Sequence, residues 1–563
     1  MIVIGIDLGT TNSAVGYVDG DEARIIPNDR GARLTPSVVS ITAAGEILVG
    51  DSAKNQAVVH ADRTVSHVKR CMGEATHLHL GSRRLLPEEV SAEILRKLKK
   101  DAEIYLGNEV GKAVITVPAN FGEAQRKATI EAGRLAGLEV LRILNEPTAA
   151  ALSYAWRHPE AKRLTVYDLG GGTFDVTCLE KTDTEYLVRS SCGENKLGGL
   201  DFDSLLRDEL LKHFEKEYGF VASTDSIVLQ QLSEMVERAK IELSSRESAA
   251  IALPFMGTGG QPLHLSYEAR RDIFDQLIAP MIERSLKLTV QAIKESGFSR
   301  VDALVLAGGS SRIPLVQRRL GELLGLKPSG GVNPDEVVAL GAALYGNMLA
   351  DEQRHSGNGR RGLRDVTSYT LGVEIDAGKV AHLVRRNTPL PVDARRIVTT
   401  VADMQESVEV HVLQGEGPDV TSNRSLGRFM LSGITPARRG AARIEVSFLI
   451  DEDGIVRVSA VDTKSGRREH VTVRPVKDEQ QDDAHSISDR LESLSRRIRS
   501  EMKDLVVPQE LLEDIQDLLL YSDKVRSSGE ESALREAEIA LESIIEELIS
   551  IREDIEDSSR EHA

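Results

Sequence analysis

Two short glycine turns, each opened by Asp-Leu and flanked by strand-forming residues, constrain this chain more than any other feature. The first lies in "IVIGIDLGTTNSAVGYVDG" (2–20) and the second in "TVYDLGGGTFDVTCLE" (165–180). Glycine lacks Cβ, so a ligand can approach its amide closely, and consecutive amides form a nest for an anion. The runs Asp7-Leu8-Gly9-Thr10-Thr11 and Asp168-Leu169-Gly170-Gly171-Gly172-Thr173 would each turn from strand to strand around phosphate oxygens. Asp7 and Asp168 could hold Mg²⁺, directly or through its waters. Asp175 and Thr173 could order a water attacking the terminal phosphate. A third turn, "VLAGGSSRIP" (305–314), follows another strand and offers Gly308 and Gly309 to a nucleotide. Neither GxxxxGK[ST] nor GxGxxG is present, so the P-loop and Rossmann solutions are not used. A single hairpin of this kind would be read as a tight turn; two of them and a third turn favour a phosphate clamp.

Length and charge bound what surrounds this clamp. A chain of 563 residues suggests about three or four domains. A net charge of −18 argues against nucleic acid or an anionic membrane as partner. Cys71, Cys178 and Cys192 form no CxxC pair and read as buried or idle thiols in a reducing compartment. The apolar run before Asp7 is too short for a signal peptide, and no stretch of ~20 apolar residues spans a membrane. A soluble, cytoplasmic monomer is expected.

Residues 1–350 alternate strands and helical segments, an α/β pattern. "AVITVPANF" (113–121) reads as strand and "EAQRKATIEAGRLAGLE" (123–139) as helix. Residues 351–365, polar and glycine-rich at first, read as a linker. From 366 to 475 the period is two: Ile444, Val446, Phe448 and Ile450 share a face, Asp453-Gly454 turns, Val456 and Val458 resume, Ser465-Gly466 turns again, and Val471 and Val473 follow. This predicts an antiparallel β-sandwich. Residues 476–563 read as charged helices, with Leu491, Leu494, Ile498, Met502 and Leu505, then Leu534, Ala537, Leu541, Ile544, Leu548, Ile551 and Ile555, at spacings of three and four.

Several runs carry a more specific resemblance. "GIDLGTTNS", "NEPTAAALSYA" (145–155), "YDLGGGTFDVT", "LGGLDFD" (197–203), "ERAKIELSS" (237–245) and "NPDEVVALGAALYG" (333–346) resemble the seventy-kilodalton heat-shock (DnaK-type) chaperones in order and spacing. The resemblance implies an actin-like ATPase of two duplicated lobes, then a peptide-binding β-sandwich and a helical lid. It implies ATP and Mg²⁺, with K⁺ as a further candidate ion. Thr10, Thr11 and Asn12, with Gly9, Gly170, Gly171, Gly172, Gly198 and Gly199, would grip phosphate, and Asp7 and Asp168 the hydrated metal. Lys69 would position the attacking water, with Glu146, Asp175 and Thr173 completing that shell. Glu237, Lys240 and Ser244, spaced for one helical face, would contact adenosine. Gly308, Gly309, Ser310 and Arg312 would face the base, and Asp335 would close the pocket. Pro118 and Arg126 would relay nucleotide state, Arg142 would meet a J-domain, and Asp365 would end the linker.

The same resemblance lines a client groove with Val373, Val398, Val401, Val408 and Val410, with Asp376 where an apolar arch residue is usual. Read without it, these valines would be sandwich core. Burying one leucine-like side chain supplies ~1.5–3 kcal/mol, whereas micromolar binding needs about 8, so main-chain hydrogen bonds must add to the slot. The linker reads Arg361-Gly362-Leu363-Arg364 where the family has consecutive aliphatics; losing two or three could remove roughly 5 kcal/mol of docking, and weak interdomain control is expected. Leu200 replaces a usual acid, and the stretch between Cys71 and Glu89 is short, traits of a short, specialised bacterial branch. The expected activity is ATP-driven capture of apolar segments of unfolded proteins, helped by a J-domain protein and a nucleotide-exchange factor. Rivals are a weakly coupled holdase, an actin-like metabolite kinase and a filament-forming protein.

Overall fold

A computed structural model describes residues 2–218, 226–253, 264–354, 362–375 and 378–472, with scattered helical positions between 491 and 544. It divides into two compact units, Met1–Arg424 with Phe429–Arg474, and Ser425–Arg428 with Pro475–Ala563.

The first unit opens with two mixed sheets of matching plan. In one the order is Glu139–Asn145, Lys112–Val117, Val3–Asp7, Asn12–Asp19 and Glu22–Ile26; in the other it is Ala303–Ala307, Arg163–Leu169, Phe174–Lys181, Glu185–Glu194 and Gly362–Arg364. Each central strand runs parallel to one neighbour and antiparallel to the next, with its glycine turn at the antiparallel end. Val3, Ile4 and Ile6 are buried, as are Leu164, Val166 and Tyr167, because helices cover both sheet faces. Helices Glu146–Arg157 and Val337–Arg354 lie between the lobes. They are rich in alanine because they must come close: a Cβ on Gly341 would stand 1.8 Å from the Ala149 carbonyl oxygen. Any larger residue there would separate the lobes.

Helix Val337–Arg354 runs past the point where composition placed the start of the linker. Arg361 lies outside the described residues, but Gly362–Arg364 form a strand parallel to Glu185–Leu187. Leu363 packs against the interlobe core, Arg364 pairs with Glu185 at 3.1 Å, and Gly362 N–H donates to the Thr184 carbonyl at 3.1 Å. In the docked strand, backbone pairing with the sheet edge accompanies the single aliphatic side chain.

Two antiparallel sheets follow. One has the order Lys379–Val384, Leu371–Ile375, Ser407–Gln414, Arg424–Ser432; the other has Val392–Val398, Ile444–Ile450, Val456–Asp462, Arg468–Thr472. Ile444, Val446, Phe448 and Ile450 all point inward, and Gly454 and Gly466 take the left-handed backbone their turns require. In the second unit Leu491, Ile498, Ile515, Leu519, Leu534, Ala537 and Leu541 are helical and form one buried cluster. Val473, Met502, Leu505, Leu548, Ile551 and Ile555 lie outside the described residues. Among the described residues no helix is long and apolar enough to cross a membrane.

Candidate active site

The two hairpin turns meet. A Cβ on Gly171 would stand 2.2 Å from Thr11 Oγ1, and one on Gly172 would stand 2.8 Å from Thr10 Oγ1. Among the described residues the N–H groups of Thr10, Thr11, Gly171 and Gly172 have no backbone acceptor, so four donors remain for a ligand. The first turn is braced from behind: Ser37 N–H donates to Thr11 O, Ser37 Oγ donates to Gly9 O at 2.8 Å, and Ser13 Oγ meets Ser37 Oγ at 2.9 Å.

Other glycines of the constellation have a different task. Gly170 N–H donates to Thr173 O, Gly198 N–H to the Asp201 carboxylate, Gly199 N–H to Gly170 O and Gly308 N–H to Pro334 O. Their amides are engaged, and their value lies in letting the third turn approach. At Gly308 φ is 75°, and a Cβ there would stand 2.4 Å from Leu169 O. Ser310 then donates its hydroxyl to Gly170 O at 2.9 Å, tying the third turn to the second.

Around the turns lies a buried group of charges. Lys69, only 4 % exposed, makes an ion pair with Glu146 and stands 5.9 Å from the Phe121 ring centroid. Asp175 accepts from Asn120 Nδ2 at 2.9 Å, and Asp7 from Thr116 Oγ1 at 3.2 Å. Burial, then the neighbouring Glu146, pushes Asp7 up to about 7 and Asp175 up to about 8, with Lys69 opposing both. Asp168 is raised well above the usual carboxylate range by burial, then by Glu146, Asp175 and Asp7. Such a cluster is short of positive charge, and either protons or a cation must supply it. Among the described residues no three His, Cys, Asp or Glu side chains converge as a direct metal cage.

Toward the far side of the cleft, Glu237 pairs with Lys54 at 3.0 Å, and Lys240 pairs with Asp203 at 2.7 Å and donates to Gly199 O at 3.0 Å. Both sit on helix Ser226–Leu243; Ser244 lies one residue past its end. Arg312 pairs with Asp335 at 2.6 Å, and Gly309 begins the short helical turn that carries both Ser310 and Arg312. Arg70 grips Asp201 at 2.6 Å and Gly172 O at 3.0 Å, bracing the second turn from the opposite lobe. Sequence reasoning missed Arg70, Asn120, Asp201, Lys54 and Ser37. Two had a usable signal: Arg70 adjoins Lys69, and Asp201 immediately follows the Leu200 substitution.

A second group of contacts joins this cleft to the β-sandwich. Buried Pro118 ends the strand Lys112–Val117, and its carbonyl accepts from Phe121 N–H at 3.1 Å. Arg126 is buried and donates to Ala119 O, Phe121 O, Asn145 Oδ1 at 2.7 Å and Asp453 O at 3.2 Å. Arg142 pairs with Glu452, and Ile143 N–H donates to Asp453 Oδ1 at 2.9 Å. Asp365 is half-buried and accepts from Asn145 Nδ2 and Thr148 Oγ1, each at 3.0 Å. Tyr369 donates its hydroxyl to Asn120 O at 2.7 Å, so Asn120 alone stands between it and Asp175.

In the sandwich Val373 faces Val412, and counting in twos puts Val410 and Val408 on that same face. Val373 and Val410 are buried, Val398 and Val408 are half-buried, and Val401 is 57 % exposed. Ile397 and Met404, close to Val401 in sequence, are also exposed. Asp376 lies outside the described residues.

The protein-family comparison matches this chain to the model described as Hsp70 protein over residues 3–80 and 76–562. The chaperone protein DnaK of Thermotoga neapolitana is 46% identical over 477 residues, covering 84% of this chain and 80% of that relative. Matches of this extent, over the cleft and both sheets of the sandwich alike, show that the chain belongs to the Hsp70 family.

Proposed function

We propose that this protein is an ATP-dependent molecular chaperone that hydrolyses ATP between its paired turns and thereby controls capture of apolar segments of unfolded proteins. The observation that carries the reading is the buried Lys69–Glu146 pair set among Asp7, Asp168 and Asp175, beside four unengaged backbone N–H groups. Phosphoryl transfer asks a protein chiefly for position and for charge that offsets the terminal phosphate.

The residues fit Mg²⁺ and a triphosphate. Carboxylates held above their ordinary range would lose their protons to solvent as a divalent cation replaces them, and without a three-ligand cage that ion would be held largely through water and phosphate oxygens. When bound, the ion neutralises phosphate charge. Thr10, Thr11, Gly171 and Gly172 would donate N–H groups to phosphate. Lys69, oriented by Glu146, would offset charge on the terminal group. Asp175, anchored by Asn120, would orient a water once ionised, with Thr173 beside it. Glu237, Lys240, Ser244, Arg312 and Asp335 would face adenosine, and K⁺ could accompany the metal.

Clients would bind at the sandwich, where Val398, Val401 and Val408 are accessible and Ile397 and Met404 add apolar surface, with residues 476–563 serving as a lid. What supports coupling is the adjacency of Asn145, which binds the linker Asp365, and Glu146, which binds Lys69. A J-domain protein and a nucleotide-exchange factor would complete the cycle in the cytoplasm. The test mixes the full chain with a fluorescent apolar peptide, with and without ATP. ATP-sensitive peptide binding supports the reading; sugar phosphorylation or sedimenting polymers without it would overturn it. Equal ATPase rates with and without the sandwich, under saturating peptide, would remove the coupling alone.

A further inference from the structure

The duplicated lobes treat equivalent sheet edges differently. Strands Val3–Asp7, Asn12–Asp19 and Glu22–Ile26 correspond in order and direction to Arg163–Leu169, Phe174–Lys181 and Glu185–Glu194. In the second lobe the outer strand is closed by Gly362–Arg364. In the first lobe, among the described residues, no strand pairs with the outer side of Glu22–Ile26. Beside that open edge lies a recess of ≈ 460 Å³, walled by Glu22–Ile25, Arg33 and Arg157 and floored in part by Val332 and Leu340. That volume is within the range of specific binding pockets, ~300–1,000 Å³.

Charged side chains on an edge can simply deter pairing. Here a recess gives an added strand somewhere to place its inward side chains. The rim also has the composition of an interface. The chain's single tryptophan, Trp156, is 42 % exposed and donates Nε1–H to Asp21 O at 3.2 Å, in the turn leading to Glu22. Tyr105, 49 % exposed, meets Tyr17 edge-on with ring centroids 5.9 Å apart. Tryptophan, tyrosine and arginine are the residues that dominate binding energy at protein interfaces.

Charge selects the partner. Arg33 is held by both oxygens of Glu336 at 2.7 Å, and Arg24 bridges Asp19 and Glu22 at 3.1 and 3.2 Å. Arg157 forms no ion pair with a described residue and stands exposed at the recess. Those acids offset Arg24 and Arg33, so among the described residues Arg157 is the arginine of the recess left to meet an anion. We infer that the Glu22–Ile26 edge accepts an extended acidic segment of a protein partner as an added strand, its backbone pairing with this edge and a carboxylate meeting Arg157. The linker strand on the equivalent edge is the precedent within the same molecule.

The test titrates the full-length protein with a capped peptide of alternating valine and aspartate, reading Trp156 emission. A saturable change is expected. It should weaken about tenfold for Arg157→Glu, and likewise when alternate peptide amides are N-methylated. Unchanged ATP hydrolysis and client capture by Arg157→Glu would establish that the variant is folded. The inference fails if emission does not saturate, if a valine–lysine peptide does the same, if Arg157→Glu binds equally well, or if an apolar client peptide displaces the acidic one.

Discussion

Removing the Lys69 ammonium would leave the Glu146 carboxylate buried without its partner and take away the cation that opposes Asp7, Asp168 and Asp175. Lys69→Ala is expected to slow single-turnover ATP hydrolysis by about a hundredfold or more, the usual scale for losing one charge-offsetting donor. Nucleotide binding, which rests on the backbone turns, should change far less; equilibrium titration separates the two. The same carboxylates set a pH dependence. An acid whose folded pKa is raised holds its proton more tightly when folded. That advantage is present at low pH and is lost as pH rises from the unfolded value of 3.8 through about 7 for Asp7 and about 8 for Asp175. Nucleotide-free protein without magnesium should therefore melt at falling temperature from about pH 5 to about pH 8, since each tenfold gain in proton affinity on folding is worth ~1.4 kcal/mol. Asp175→Asn should flatten that slope in calorimetry. At this scale the sequence pointed to Asp7 and Asp168 by their glycine turns and to Lys69 by the family resemblance, and the structure gathers all three in one cluster. The sequence was opaque where a residue acts through another: nothing in "VPANF" says that the Asn120 amide holds Asp175 while its carbonyl receives Tyr369.

Local composition misleads most at the linker. Glycines and arginines hide the strand Gly362–Arg364, because its partner, Glu185–Leu187, is far away in sequence and supplies the ladder. Helix Val337–Arg354 likewise outlasts the polar residues that suggested its end. By contrast, the alternation Ile444, Val446, Phe448, Ile450 gave the strand and its buried face together, since period two leaves a side chain only two faces to choose between. Docking of the linker depends on Leu363 packed against the core and on Asp365 satisfying Asn145 and Thr148. Leu363→Asp should cost roughly 1.5–3 kcal/mol of docking, and Asp365→Ala about 1–3 through the partners left unpaired. Hydrogen exchange at residues 362–364 should rise sharply in both variants, while strand Val3–Asp7 stays protected.

Over the whole of the first unit, the junction between the α/β lobes and the sandwich is made mostly of polar contacts. Arg142 pairs with Glu452, Arg386 with Glu295, and Asn387 with both Glu295 and the Ser191 N–H. Such an interface resembles a transient one rather than a continuous core. Raising salt from about 0.1 M to about 1 M shortens electrostatic reach from ~10 to ~3 Å, and each partly exposed ion pair is worth at most about 1 kcal/mol. Exchange at 362–364 should therefore quicken at high salt, and Glu295→Lys should give the same result at low salt. No reading of one segment could supply this junction, because every pair in it joins residues distant in sequence.

Helix Glu146–Arg157 begins at the ion pair with Lys69 and ends beside Trp156, with every residue from Glu146 to Ala155 buried. Twelve helical residues make a stiff rod ~18 Å long. A nucleotide that shifts its first turn is expected to move the indole at its tip, and a titration read by the emission colour of that one unmodified side chain checks whether it reports on a cleft it never touches.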